Sequence, residues 1–245
     1  NFPVNLLTIV KVNNLVYENY NFSNIYIHTN FSKYAVKINK FRSNFAKGVI
    51  QGNGSVNVLP QTPMAQVKLN CQNLQVNSLT RIIGKFDNRL FGFLNGKLML
   101  SFPLEKDILK NLKGNIEFNI SKGKLSNTGI QNGLGIWLSE LKYKLKNLEF
   151  NKIYGNVLLN SNQFKINSFV FNSQNLRLLV KGNFNSKLIA NPMFITLEFN
   201  KYFIQDLAKP AVALGLSKYK SGNWYIIPFK HNGDLTKSNN LKRIK

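Results

Sequence analysis

The sequence predicts a mainly antiparallel β fold with a few short helices inserted, and three observations carry that expectation. Apolar and polar residues alternate with period two along most of the chain, the signature of strands with one greasy and one wet face. Gly, Asn and Ser separate the alternating runs, as tight turns require. Helical spacing replaces the alternation in only three stretches. The 245 residues suffice for one large all-β domain or two smaller ones, and a hydrophobic fraction of 44% is that of a folded protein.

The chain opens with strand-like sequence. NIYIHTNF (24–31), KYAVKINKF (33–41) and KGVIQGNGSVNVL (47–59) then place Ile, Val, Tyr or Phe at every second position. Gly48, Gly52 and Gly54 do not form a phosphate loop, because no GK[ST] follows and the surrounding pattern is strand. MAQVKLNCQNLQV (64–76) continues the alternation. VNSLTRIIGKF (76–86) breaks it, with Leu79, Ile82 and Ile83 fitting a short amphipathic helix closed by Gly84. GFLNGKLMLSF (92–102) resumes the strands, and a polar connection around Glu105 to Lys110 leads into Ile116, Phe118 and Ile120 alternating with Asn115, Glu117 and Asn119. Ile130, Leu134, Leu138, Leu141 and Leu145 then follow helical spacing, with Trp137 on the same side. KIYGNVLLN (152–160), QFKINSFVFN (163–172), NLRLLVKGNF (175–184) and MFITLEFN (193–200) read as strands, FIQDLAKPAVALGL (203–216) as a helical piece interrupted at Pro210, and NWYIIPFKHNGDL (223–235) as the last strand region.

Charge and chemistry narrow the function classes. Lys and Arg number 33 against 10 Asp and Glu, a net +23 that attracts nucleic acid, anionic headgroups or other polyanions. The abundance of Lys, Asn, Ile and Phe is equally what an AT-biased genome produces, and the cations are spread singly except in LKRIK (241–245). One cysteine, Cys71, excludes an intrachain disulfide and a cysteine metal cage. His28 and His231 are far apart with no ligand-spaced partners, so no metal or other cofactor is expected. Glu105 and Asp107 are the nearest approach to a carboxylate pair, and no GxSxG, Walker loop or dinucleotide fingerprint occurs, so the chain is not expected to be an enzyme. The aromatics fall in phase with the aliphatics, as lining does, and a nucleic-acid role therefore ranks third. The longest apolar run, AVALGL (211–216), is far short of the roughly 18 residues of a membrane span.

The order of elements resembles a known family. LKGNIEFNISKGKLSNTGIQNGL, an amphipathic helix, and LEFNKIYGNVLLNSNQFKINSFVFNSQNLRLLVKGNFN are similar to the AsmA-like C-terminal region of bacterial envelope proteins. Leu112, Gly114, Gly123 and Leu125 match its first phrase, and Phe150, Gly155, Phe164, Leu176, Gly182 and Phe184 its second. The stretch from Asn14 to Val58 resembles the upstream unit, and YIIPFKHNGDL (225–235) the closing phrase, although no proline follows it. The resemblance implies a single region over 1–245, loosely an upstream strand unit over 1–84 and a C-terminal unit over 85–245, in a longer protein whose N-terminal helix anchors it in the inner membrane. It further implies a long antiparallel sheet curled into an open apolar groove in the periplasm. Phospholipids or other acyl lipids would be the partners, with envelope proteins beside them, and movement of phospholipid toward the outer membrane would be the role.

Under that reading Ile116, Phe118, Ile120, Val157, Leu159, Phe164, Ile166, Phe169, Phe171, Leu178 and Val180 line the groove. Lys113, Lys122 and Lys124 stand at its rim as contacts for lipid phosphate, against the plainer reading of solvated charge. A dozen strands about 4.8 Å apart would make a channel on the order of 60 Å long. The alternative is a structural or interaction module whose apolar faces close on one another as a sandwich core. Periodicity alone does not separate the two.

Overall fold

A computed structural model describes residues 5–18, 20–83, 90–105, 107–126, 147–202, 216–235 and 240–244. Fourteen strands form one antiparallel sheet in which spatial order follows chain order, so each long strand pairs with the strands before and after it. They are β1 (Leu6–Tyr17), β2 (Tyr20–Ser32), β3 (Ala35–Phe45), β4 (Gly48–Asn57), β5 (Met64–Gln75), β6 (Leu90–Pro103), β7 (Lys113–Ser126), β8 (Asn147–Asn160), β9 (Gln163–Asn172), β10 (Leu176–Asn185), β11 (Ile189–Asn200), β12 (Lys220–Ser221), β13 (Trp224–Asp234) and β14 (Leu241–Arg243). β11 pairs directly with β13, while the short β12 and β14 also pair with β13. The first and last long strands do not pair, so the sheet is open and not a barrel.

Meandering is what the sequence dictates. Where turns of two or three residues join the strands, as from β1 through β4 and from β8 through β11, the chain has no reach for a crossover and an antiparallel neighbour is the only partner within range. The strand at Leu6–Tyr17, LLTIVKVNNLVY, alternates as the strand-like opening of the chain foretold. β5 pairs with β6, so one sheet runs through both loosely divided units of the sequence.

Of the three stretches with helical spacing, the described residues cover one. Among the described residues helix comprises α1 (Val76–Ile83), helical residues 201–202, and 3-10 turns at Ile108–Lys110 and Ser217–Tyr219. The helix expected over 130–147 and nearly all of that expected over 203–216 lie outside the described residues. The polar connection before β7 is held by Lys110 Nζ, 3.0 Å from Asp107 Oδ2, and by the Asn111 amide donating to Glu105 Oε1 at 2.7 Å. Both carboxylates that stood closest to a catalytic pair are thus engaged in shaping a turn.

A hydrophobic core occupies one end of one face. Ile120, Ile153, Phe171, Leu176, Leu197, Phe199 and Ile227 pack there with Val76 at the start of α1, Leu125, Phe150, Leu216 and Phe229. Phe150 and Phe171 meet edge to face, ring centroids 5.5 Å apart.

Candidate functional site

Residues paired across an antiparallel sheet project from the same face, so register alone assigns every side chain a side. Following the pairs from strand to strand gives an unbroken row with one residue from each of the twelve long strands: Val10, Ile27, Phe41, Gly52, Leu69, Leu98, Ile116, Val157, Ile166, Gly182, Met193 and His231. A parallel row on the same face runs Cys71, Gly96, Phe118, Gly155, Phe169, Val180, Ile195 and Phe229. A third runs Leu100, Gly114, Leu159, Phe164, Phe184 and Ala190. Nearer the core lie Leu94, Ile120, Ile153, Phe171, Leu178, Leu197 and Ile227. Not one paired position on this face of the twelve long strands carries a charge.

All eleven residues named as groove lining occupy this one face, across β7 to β10. Strict alternation does not bring Phe164 and Ile166 to the same side as Phe169 and Phe171. A β-bulge does: the register slips by one residue between Asn156 and Val157, leaving Asn167 as the extra residue, whose amide donates to Asn156 Oδ1 at 2.6 Å. Bulges elsewhere do the same work, as at Asn24, whose positive φ of 52° lets Phe22, Ile25 and Ile27 all face one way.

Burial is graded across the face. In the row nearest the core most positions are sealed, Ile153 at 4% and Ile227 at 0% exposure, while Leu94 and Leu178 are half-buried. From Ile27 through Ile166 the long row is only half-buried. The result is a trough packed along one side and accessible along its middle. Glycine keeps the floor low: a Cβ at Gly155 would come within 2.9 Å of the Phe118 ring, which lies across that strand beside Phe169 at a centroid distance of 6.3 Å. At Gly52 a Cβ would meet the Lys68 carbonyl oxygen first and Leu69 Cδ2 at 2.9 Å. The lone thiol, Cys71, lies half-buried in the second row, and desolvation pushes its pKa up.

The three rim lysines do not converge. Lys113, at the start of β7, pairs with Ser101 and Asn160 and projects from the opposite, polar face. Lys122 and Lys124 lie near the other end of the same strand, roughly 30 to 35 Å away at the rise of an extended strand. There they border a 470 Å³ hollow with Glu149 and Ser173, and the Lys124 ammonium stands 5.0 Å over the Phe91 ring.

The apolar face also extends beyond the strands first singled out. Ile27, Phe41, Leu69 and Leu98 continue the long row toward β1, and Met193 and His231 end it on β13. The alternation in β2 to β6 carried that signal. His231 is placed by its phase with Ile227 and Phe229, whereas His28 lies on the polar face of β2, at the other end of the sheet. Among the described residues no group of three His, Cys, Asp or Glu is placed to hold a metal ion.

Comparison with known families adds a decisive observation. The family model for the AsmA family matches residues 4–176, about seven tenths of the chain. The chain belongs to the AsmA family. AsmA proteins are proteins of the cell envelope, and the matched span of this AsmA chain runs from the start of the sheet to the first residue of β10. No curated protein and no solved structure matches it. Beyond the matched span β11 and β13 continue the same apolar rows, so the face is longer than the family match. No described helix of this AsmA chain is long and apolar enough to cross a membrane.

Proposed function

We propose that the apolar face is a lipid-conducting groove and that the chain is a non-enzymatic lipid-binding and lipid-transfer module of an AsmA protein. Its full-length form would act in the periplasm from an inner-membrane anchor, moving phospholipid between inner and outer membranes and supporting outer-membrane biogenesis, with envelope proteins at its ends. The observation that carries this reading is the long row of apolar or glycine positions, half-exposed along its middle. Twelve strands at about 4.8 Å spacing make that path on the order of 50 Å long. One leaflet of a bilayer is about 15 Å of hydrocarbon, so some three acyl chains fit end to end. Each buried methylene contributes about 0.8 kcal/mol, and a half-covered chain is held by several kcal/mol while remaining free to slide.

The alternative, a closed core with no lipid path, needs the same face sealed, and the half-burial from Ile27 to Ile166 weighs against it. A single-strand nucleic-acid site needs cations and stacking rings together. Here the rows of Phe118, Phe164, Phe169 and Phe171 lie on the face opposite the strand lysines. The strand rings that do stand under lysines, Tyr26, Phe91 and Tyr154, sit singly on the separated strands β2, β6 and β8 and form no stacking row.

Native mass spectrometry of the protein purified without detergent tests the reading, with copurifying phospholipid expected. Cys71 supplies a second readout because it is the only thiol and sits in the groove. Loading with phosphatidylethanolamine and phosphatidylglycerol vesicles should slow its alkylation severalfold. Reproducible absence of lipid, together with an alkylation rate indifferent to vesicles, would remove the groove.

A further inference from the structure

The polar face holds a second feature that the lipid groove does not use. A furrow of about 490 Å³ crosses β4 to β7 on that face, between two cross-strand rows of side chains. One row is Gln51, Asn70, Lys97 and Glu117, and the other Asn53, Lys68, Met99 and Asn115. Lys40 stands at one end. We propose that this furrow binds an acidic oligosaccharide, an extended chain of sugars bearing carboxylates or phosphates, laid across the strands.

Three observations point to that chemistry. The furrow has three ammonium groups and one carboxylate, and Glu117 already accepts a hydrogen bond from the Asn115 amide at 3.2 Å. An anionic ligand is therefore favoured over a neutral or cationic one. The amides are in two states. On β7 to β9 they zip together, Asn156 donating to Asn115 Oδ1 and Asn167 to Asn156 Oδ1, each at 2.6 Å. On β4 and β5 Gln51, Asn53 and Asn70 make no side-chain hydrogen bond to the protein among the described residues, and Lys68 and Lys97 make no ion pair. Each free amide offers both donors and an acceptor, the combination that matches sugar hydroxyls and that a simple anion does not need.

The floor supplies the third observation. Lysine stems and the exposed Met99 give it an aliphatic surface for the C–H faces of sugar rings. The one aromatic residue bordering it, Phe41, belongs by register to the other face, so stacked nucleobases have no platform. A furrow between two rows suits a chain better than a flat membrane surface, and each strand adds one side chain to each row about every 4.8 Å along it.

Calorimetry with hexagalacturonate as probe, maltohexaose as its neutral counterpart, and the full chain at about 0.15 M salt decides the matter. Binding of the acidic probe and at least tenfold weaker binding of the neutral one are expected. Lys68→Gln with Lys97→Gln should weaken the acidic probe by roughly tenfold or more, the loss expected for two charge-assisted contacts. Lys165→Gln with Lys181→Gln removes the same charge from the polar face outside the furrow and should change binding less than about twofold, since surface charges beyond a Debye length are screened. Circular dichroism confirms that both variants fold. Equal losses in the two double variants, no binding of the probe, or full competition by equimolar inorganic phosphate would each overturn the site. So would association with anionic vesicles that both double variants weaken alike while the saccharide does not bind, because that result assigns the face to a membrane surface.

Discussion

Gly155 and Phe118 show how much one side chain controls on the apolar face. Gly155→Val crowds both the Phe118 ring and the Ser168 carbonyl oxygen, each 2.9 Å from the point a Cβ would occupy, and the ring, the freer of the two, is lifted into the trough. The expected result is a folded protein, destabilised by about 1 to 3 kcal/mol as overpacking costs, whose copurifying lipid falls sharply. Native mass spectrometry and thermal melts check the two halves. Charge makes a cleaner obstacle. Ile116→Asp with Val157→Asp sets two carboxylates opposite one another in the half-exposed row, where water still reaches them, and should abolish lipid binding while leaving the sheet formed. Cys71 reports on the same surface through its ionisation. Burial favours the neutral thiol, so at pH 8 its alkylation in the folded chain should be slower than in urea. The same shift gives a stabilising contribution that is present below the ordinary thiol range and lost as pH rises through the folded value. A rate equal to that of the unfolded chain would show an open, hydrated thiol.

At the scale of the element, alternation made the strands legible and bulges limited what could be read from them. Observed and expected strands agree closely because period two is enforced by a face that must avoid water on one side only. The slips at Asn24 and Asn167 carry no such periodic signal, and they decide which Phe and Ile residues share a side. The rim lysines form one group by closeness in sequence, yet along an extended strand ten residues span far more than a headgroup. Helix α1 was legible from Leu79 and its neighbours, whereas its place beside the core through Val76 brings it against residues far along the chain, which local spacing does not show. Deleting Asn167 tests the role of a bulge directly. It should flip either Phe164 and Ile166 or Phe169 and Phe171 toward solvent, and the loss of buried Phe171 alone costs about 1.5 to 3 kcal/mol. Leu197→Ala, in the sealed row, should cost about 2 to 5 kcal/mol in urea unfolding and leave lipid binding per folded molecule unchanged.

For the whole molecule, stability and accessibility are divided between two ends of one sheet. The sealed cluster gathers on β7 to β13, while β1 keeps Leu7, Ile9 and Val16 exposed and its outer edge unpaired among the described residues. The other edge is covered by the short, lysine-bearing and arginine-bearing β12 and β14, a guard against edge-to-edge pairing. Because each long strand hydrogen-bonds only to the strands beside it, with side chains such as Phe118 and Phe169 reaching across one strand, each hairpin depends mainly on the next, as repeats do in a solenoid. Hydrogen exchange should therefore be graded, with β1 and β2 opening first and β10, β11 and β13 last, and a single uniform protection level would contradict it. The meander of strands in chain order has one more consequence. Nothing ties its length to its cross-section, so inserting or removing one hairpin at a turn lengthens or shortens the path by about 9.6 Å without disturbing the rows on either side. Reach is then a quantity that such a chain adjusts two strands at a time, like a ruler graduated in hairpins.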